Sequence, residues 1–207
     1  MTVIAITLVK PHMGKRQETE SRARQLAGVY ARHGASVKVT SIVSGPNAGC
    51  IGIIRGYADF RTASTALQAI GNDPAHVEFW RQREANPSAD IVIGRDIVRS
   101  VYGEGRWDTH PVSLLRQYDL ARDKIADALK ILADGAKLVA KADANVVGLV
   151  PFTGDNMSSL TASYQFRSLD HMGEVLDTVG TSDAFQAIVA KAGKLGTLRS
   201  AFMMVPL

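Results

Sequence analysis

Two places in this sequence carry residue types that could do chemistry. His76 and Trp80 stand four residues apart, directly after Asp73-Pro74. An Asp-Pro step suits an N-cap followed by the first helical position, and a four-residue spacing sets the imidazole and the indole on one helical face. Arg55 and Tyr57 lie two apart in a β-rich run, so both project from one side of a strand. A guanidinium and a phenol on one wall suit an anionic or phenolic ligand, and an imidazole titrates near neutrality. His76, Arg55 and Tyr57 are therefore the candidate catalytic groups. The competing reading is packing: His76 a boundary residue, Trp80 an apolar anchor, and Arg55 and Tyr57 part of a core between two sheets.

Other polar residues offer less. His12 follows Pro11 and reads as a solvated loop histidine. Asp170 and His171 open a helix, where adjacent positions do not face each other, so they make a poor dyad. Cys50, the single cysteine, cannot form an internal disulfide and reads as a small buried strand residue. No GxSxG, P-loop, HExxH or CxxC signature is present, and the histidines have no metal-ligand spacing. No cofactor or substrate is specified.

The elements that position these residues follow from periodicity. Val3 to Val9 is a short β-branched strand. Ala23, Leu26, Ala27 and Tyr30 then fall on one helical face, with Gly34 as the terminating residue. Ala35 to Val43 and Cys50 to Asp59 form a hairpin across a Ser-Gly-Pro-Asn turn. A helix from near Thr62 breaks at Gly71, a second restarts at Pro74, and Ala89 to Tyr102 is a long strand. The order is β-α-β-β-α-β, and it recurs. His110 to Leu120 is a strand, Asp123 to Lys141 a helix, Asn145 to Thr153 and Ser159 to Phe166 a hairpin. Ser168 to Val179 and Ala184 to Ala192 are helical, and Thr197 to Leu207 closes as a strand.

At a constant offset Val3 matches Val112, Gly45 matches Gly154, Asn47 matches Asn156 and Gly71 matches Gly180. Two turns and two helix breaks in one register indicate a tandem duplication, with repeats spanning 1–105 and 106–207. In that register Tyr164 and Phe166 answer Arg55 and Tyr57, and with Trp80 they are the candidate ligand-binding residues. A βαββαβ unit makes a four-stranded sheet with helices on one face. Its bare face needs cover, so the two sheets should pack against each other, with edge strands pairing across the join.

This pattern resembles the dimeric α+β barrel superfamily in tandem, single-chain form. The run Phe166 to Met172 and the split second helix look similar to NIPSNAP-type proteins. The resemblance implies an α+β fold of two ferredoxin-like repeats, with ligands held between sheet and helices of a repeat. The superfamily includes haem-degrading and cofactor-independent monooxygenases, isomerases and proteins without known activity. It therefore suggests a small-molecule-binding protein of the oxygenase or isomerase kind, acting on an apolar or phenolic compound, or else a non-catalytic binding or interaction module. By that resemblance His76 could be an axial haem ligand. The family's first-strand Asn is missing from Val3 to Val9, and Phe185 replaces His76 in the second repeat, so haem ranks low.

RNA-recognition domains share the element order, and Arg55-Gly56-Tyr57-Ala58 matches half of their third-strand motif. Asp59 then stands where an aromatic should stack, and an anion there repels phosphate. The net charge of +4 comes from 24 cations interspersed with 20 anions, without the clustering of a phosphate-tracking surface. No nucleic-acid partner is expected. No basic leader and no run of about 20 apolar residues is visible, so a cytoplasmic chain without a membrane partner is expected, with further self-association left open.

Overall fold

The computed structural model describes residues 2–207, Arg95 by its backbone only. The chain runs β1 (Val3–Pro11), α1 (Arg16–Arg32), β2 (Ser36–Ser44), β3 (Ile51–Tyr57), α2 (Phe60–Gly71), α3 (Pro74–Ala85) and β4 (Ala89–Tyr102). After the connector come β5 (Val112–Asp119), α4 (Ile125–Ala140), β6 (Asn145–Thr153), β7 (Ser159–Phe166), α5 (Leu169–Val175), α6 (Asp183–Leu195) and β8 (Thr197–Pro206).

Local signals explain the boundaries. Gly34 sits at φ +83°, and the Ala35 N–H reaches back to the Tyr30 carbonyl, so a left-handed glycine stops α1. Asp59 accepts from the Thr62 N–H at 2.7 Å and caps α2, which therefore starts at Phe60, earlier than periodicity suggests. Asp73 caps α3 in the same way, with Pro74 in the first turn. The helix expected over Ser168 to Val179 narrows to α5 and then widens into a π-turn over Leu176–Gly180. There the Thr181 N–H bonds the Leu176 carbonyl five residues back.

The eight strands close into a barrel in the order β1-β3-β2-β8-β5-β7-β6-β4, every neighbouring pair antiparallel. Within it each half contributes a ferredoxin-like sheet, β4-β1-β3-β2 and β8-β5-β7-β6. The expected joins are present: β2 pairs with β8 and β4 with β6. Both joins carry register irregularities, which let a flat ladder bend around a corner.

The side chains divide between two faces. Ile51, Ile53 and Tyr57 pack with Ala23, Leu26, Ala66 and Phe79 beneath α1, α2 and α3. Leu8, Ile54, Leu115, Val147 and Met204 fill the barrel lumen. This corrects the packing alternative for Arg55 and Tyr57: their side of β3 faces the helices, and Gly52, Ile54 and Gly56 face the opposite sheet. The reason is steric. A Cβ on Gly52 would lie 2.7 Å from Oγ1 of Thr40, its partner on the neighbouring strand β2, so this lumen-facing position has no room for a side chain. Each fully buried apolar side chain, such as Ile51 at 0% exposure, contributes about 1.5–3 kcal/mol.

Asp73 gives the fold an acid-sensitive point. It accepts from His33 at 2.8 Å, from the Ala75 N–H at 2.8 Å and from Arg32 at 3.1 Å. The His33 bond first, then the cap, hold its carboxyl down to about 2 from an ordinary 3.8. A depressed carboxylate stabilises the fold above its unfolded pKa, and that contribution disappears as pH falls through the folded value. Thermal melts from about pH 5 down to about 2 should show the wild type losing stability steeply. Asp73→Asn should start lower and lose less over the same range; an unchanged acid slope would refute the assignment.

Candidate functional site

A cavity of about 410 Å³ opens between the sheet of the first half and helices α1 and α3. Strands β1 and β3 supply its floor through Thr7, Val9 and Ile53, and α1 supplies Leu26 and Tyr30. Phe79, Trp80 and Arg83 come from α3, and Ile91 and Gly94 from β4. The volume falls in the range of small-molecule sites, and the lining is mostly apolar with a few fixed polar groups.

Those polar groups form a continuous chain behind the wall. The Arg83 guanidinium carbon lies 5.2 Å from the Trp80 ring centroid. The Trp80 indole N–H donates to His76 Nε2 at 2.9 Å. An indole nitrogen only donates, so Nε2 is the unprotonated nitrogen of that imidazole. The His76 ring stands 6.4 Å from that of Tyr30, and the Arg55 guanidinium carbon lies 4.5 Å from the Tyr30 centroid. Arg55 donates from Nη2 to Thr7 Oγ1 at 3.2 Å, and Thr7 Oγ1 donates to the Gly94 carbonyl at 2.9 Å.

Sequence reasoning selected Arg55, His76 and Trp80, and the structure brings all three to this wall. Trp80 lines the cavity; Arg55 and His76 brace the residues that do. Tyr57 is buried in the adjoining core, where burial pushes its phenol up and Arg55 pulls weakly the other way. Its hydroxyl has no hydrogen-bond partner, a state that costs about 1–3 kcal/mol. Tyr164 and Phe166 lie beneath α4, α5 and α6 of the other half, apart from this cavity. Tyr164, pushed up to about 12 by burial, borders a crevice of about 50 Å³, and Phe166 is a core residue 1% exposed.

The halves differ for a packing reason. Where the first half places Leu26 opposite Phe79, the second has Gly135 and Ile188. A Cβ on Gly135 would already lie 3.6 Å from Ile188 Cγ2. Large residues hold α1 off α3; small ones let α4 close onto α6. Sequence reasoning missed Thr7, Leu26, Phe79 and Arg83 as site residues. Thr7 was visible as the lone hydroxyl in an apolar strand, and Arg83 as a cation three residues after Trp80.

The other histidines are structural. His171 accepts from the Arg167 N–H at its Nδ1 and bonds the Ala142 carbonyl through Nε2 at 2.8 Å. His110 bonds the neighbouring Asp143 carbonyl at 2.7 Å. His12 pairs with Asp90 at 3.1 Å. Cys50 is buried just ahead of β3, and burial raises its thiol. Among the described residues no group of His, Cys, Asp or Glu could hold a metal. Haem does not fit the residues present either: the His76 Nε2 lone pair is taken by the Trp80 N–H, and the imidazole lies behind the wall.

Arg55 is 2% exposed, and among the described residues it makes no ion pair; its Nε is unpartnered. A desolvated cation held only by a hydroxyl and a ring is costly. Arg55→Met should therefore raise the free energy of unfolding in urea, by on the order of 1–3 kcal/mol. A loss of stability would show that Arg55 is a net structural asset.

No protein-family model and no curated protein matches the chain. Solved structures do. A candidate monooxygenase of Fusobacterium nucleatum superposes with a TM-score of 0.68 at 8% identity, covering 100% of this chain and 92% of that one. An anthrone oxidase-like protein gives 0.64 at 10% identity, covering 100% and 91%. A heme-degrading enzyme of Listeria monocytogenes gives 0.54 at 10% identity, covering 99% of each. At these identities the likeness establishes the fold. No helix among the described residues is long and apolar enough to cross a membrane.

Proposed function

We propose, for a chain with the dimeric α+β barrel fold built from two repeats (1–105 and 106–207), that the first-half cavity binds a flat apolar compound bearing an anionic or phenolic oxygen. The observation that carries this reading is the composition of the wall: Phe79, Trp80, Tyr30 and Leu26 offer aromatic and aliphatic surface, and Arg83 supplies a cation, while Arg22 beside it is ion-paired with Glu18 at 2.7 Å. Arg55 and His76 act here as positioning residues. Arg55 sets Thr7 and Tyr30, His76 sets the Trp80 indole, and Tyr57 fills the core beside them.

A second reading adds oxygenation. The neighbours described as a candidate monooxygenase and as anthrone oxidase-like share the barrel, and the Arg83 cation at the lining would stabilise a carbanion or phenolate. An activated methylene would take one atom of dioxygen to become a carbonyl, the second atom leaving as water; carbon loses the four electrons that dioxygen gains. Against that reading, the described lining residues include no carboxylate and no imidazole, so the proton would have to leave with solvent.

Trp107 lies outside this cavity, so Trp107→Phe leaves Trp80 as its reporter. Titration with naphthoate should quench Trp80 saturably. Ala23→Phe, which fills the cavity, should weaken binding at least about tenfold, or ~1.4 kcal/mol, with the circular dichroism spectrum unchanged. Absence of saturable quenching would overturn the binding reading. Oxygen uptake with anthrone, measured by electrode, tests the second: uptake abolished by Ala23→Phe supports it, and no uptake above buffer opposes it.

A further inference from the structure

The connector side of the barrel holds a separate chamber of about 390 Å³. Ile4, Ile54 and Val147 line it from the lumen core and give it an apolar floor. Gly56 borders it on β3, where a Cβ would meet nothing nearer than 3.7 Å, so the space beside that strand is open.

The connector supplies the outer wall through Trp107 and Asp108. Its backbone is tied to the second half: the Arg106 N–H donates to Gln165 Oε1 at 2.9 Å, and Asn145 Nδ2 donates to the Glu104 carbonyl at 2.8 Å. Gly105 lets the indole fold against that backbone, because a Cβ there would collide with Trp107 Nε1.

The described lining residues carry one charge of each sign, Lys38 and Asp108. The two touch, with Lys38 Nζ donating to Asp108 Oδ1 at 2.5 Å. That bond holds the Asp108 carboxyl below its usual range, so it is an anion at neutral pH. The bond is also replaceable. The Asp108 side chain is 92% exposed, and a pair so open to water contributes little.

This pairing selects among ligands. A lone carboxylate on Lys38 would face the like charge of Asp108, and a lone amine on Asp108 would face Lys38. A molecule bearing both groups on one carbon meets each with its opposite, at the spacing of a Lys-Asp pair already in contact. We propose that this chamber binds a free α-amino acid with an aliphatic side chain, its carboxylate on Lys38, its ammonium on Asp108 and its side chain over Ile4, Ile54 and Val147. A peptide terminus carries only one of the two charges, so the free amino acid is the ligand.

The probe is L-leucine, compared with two analogues that each lack one charge, 4-methylpentanoate and 3-methylbutylamine. Trp80→Phe protein keeps Trp107 as its one tryptophan. L-leucine should change Trp107 emission saturably, with saturation transfer from protein to the leucine methyls in proton NMR. Each analogue should bind at least about tenfold more weakly. Asp108→Asn, at an exposed position that leaves folding intact, should weaken leucine binding by a similar factor, as should Lys38→Met. Gly56→Val, whose added methyls enter the chamber, should abolish it. Undiminished affinity in both Asp108→Asn and Gly56→Val would overturn the proposal. So would an analogue that binds as tightly as leucine, or no saturable signal by either measurement.

Discussion

The structure depends on two ladders that join its halves. Each four-stranded sheet leaves two edges with unpaired backbone groups and one bare apolar face, and neither is stable in water. Pairing β2 with β8 and β4 with β6 answers both needs together, because the edges meet only when the bare faces are opposed. The helices are then confined to the outside, and every pocket must lie either under a helix layer or at an end of the barrel. The two chambers occupy one of each.

Closing the barrel also governs residue size. On β3 the lumen face carries Gly52, Ile54 and Gly56, while the helix face carries Ile51, Ile53, Arg55 and Tyr57. Arg55 and Tyr57 therefore project beneath α1 and α2, the same side as Tyr30 and Phe79. The polar chain from Arg83 through Trp80, His76 and Tyr30 to Arg55 links two helices to the floor of the sheet. Its members are held by neighbours on different elements, which fixes the wall before any ligand arrives.

Much of the fold was legible in the sequence, because the signals were local. Asp73-Pro74 marked a helix start, Gly34 a helix end, and the matched glycines at 45 and 154 the two hairpin turns. The repeated order then implied the joins. The site was legible only in part. Trp80 and His76 stood out by type and spacing, and Arg55 by its place on β3. Tyr164 and Phe166 were matched by register to Arg55 and Tyr57, yet register conveys nothing about how far one covering helix stands from the next. That distance is set by Leu26 and Phe79 in one half and by Gly135 and Ile188 in the other. Lys38 and Asp108 were unremarkable as letters, because their meeting follows from closure across residues far apart in the chain.

Joining the two repeats in one polypeptide has an evolutionary consequence. A symmetric assembly of identical subunits must repeat each substitution, so any change that opens space under one helix layer also opens it under the other, and the core is weakened twice. A covalent tandem removes that obligation. Here one half keeps close helix contacts and serves as ballast, and its sibling tolerates a hollow and a buried cation.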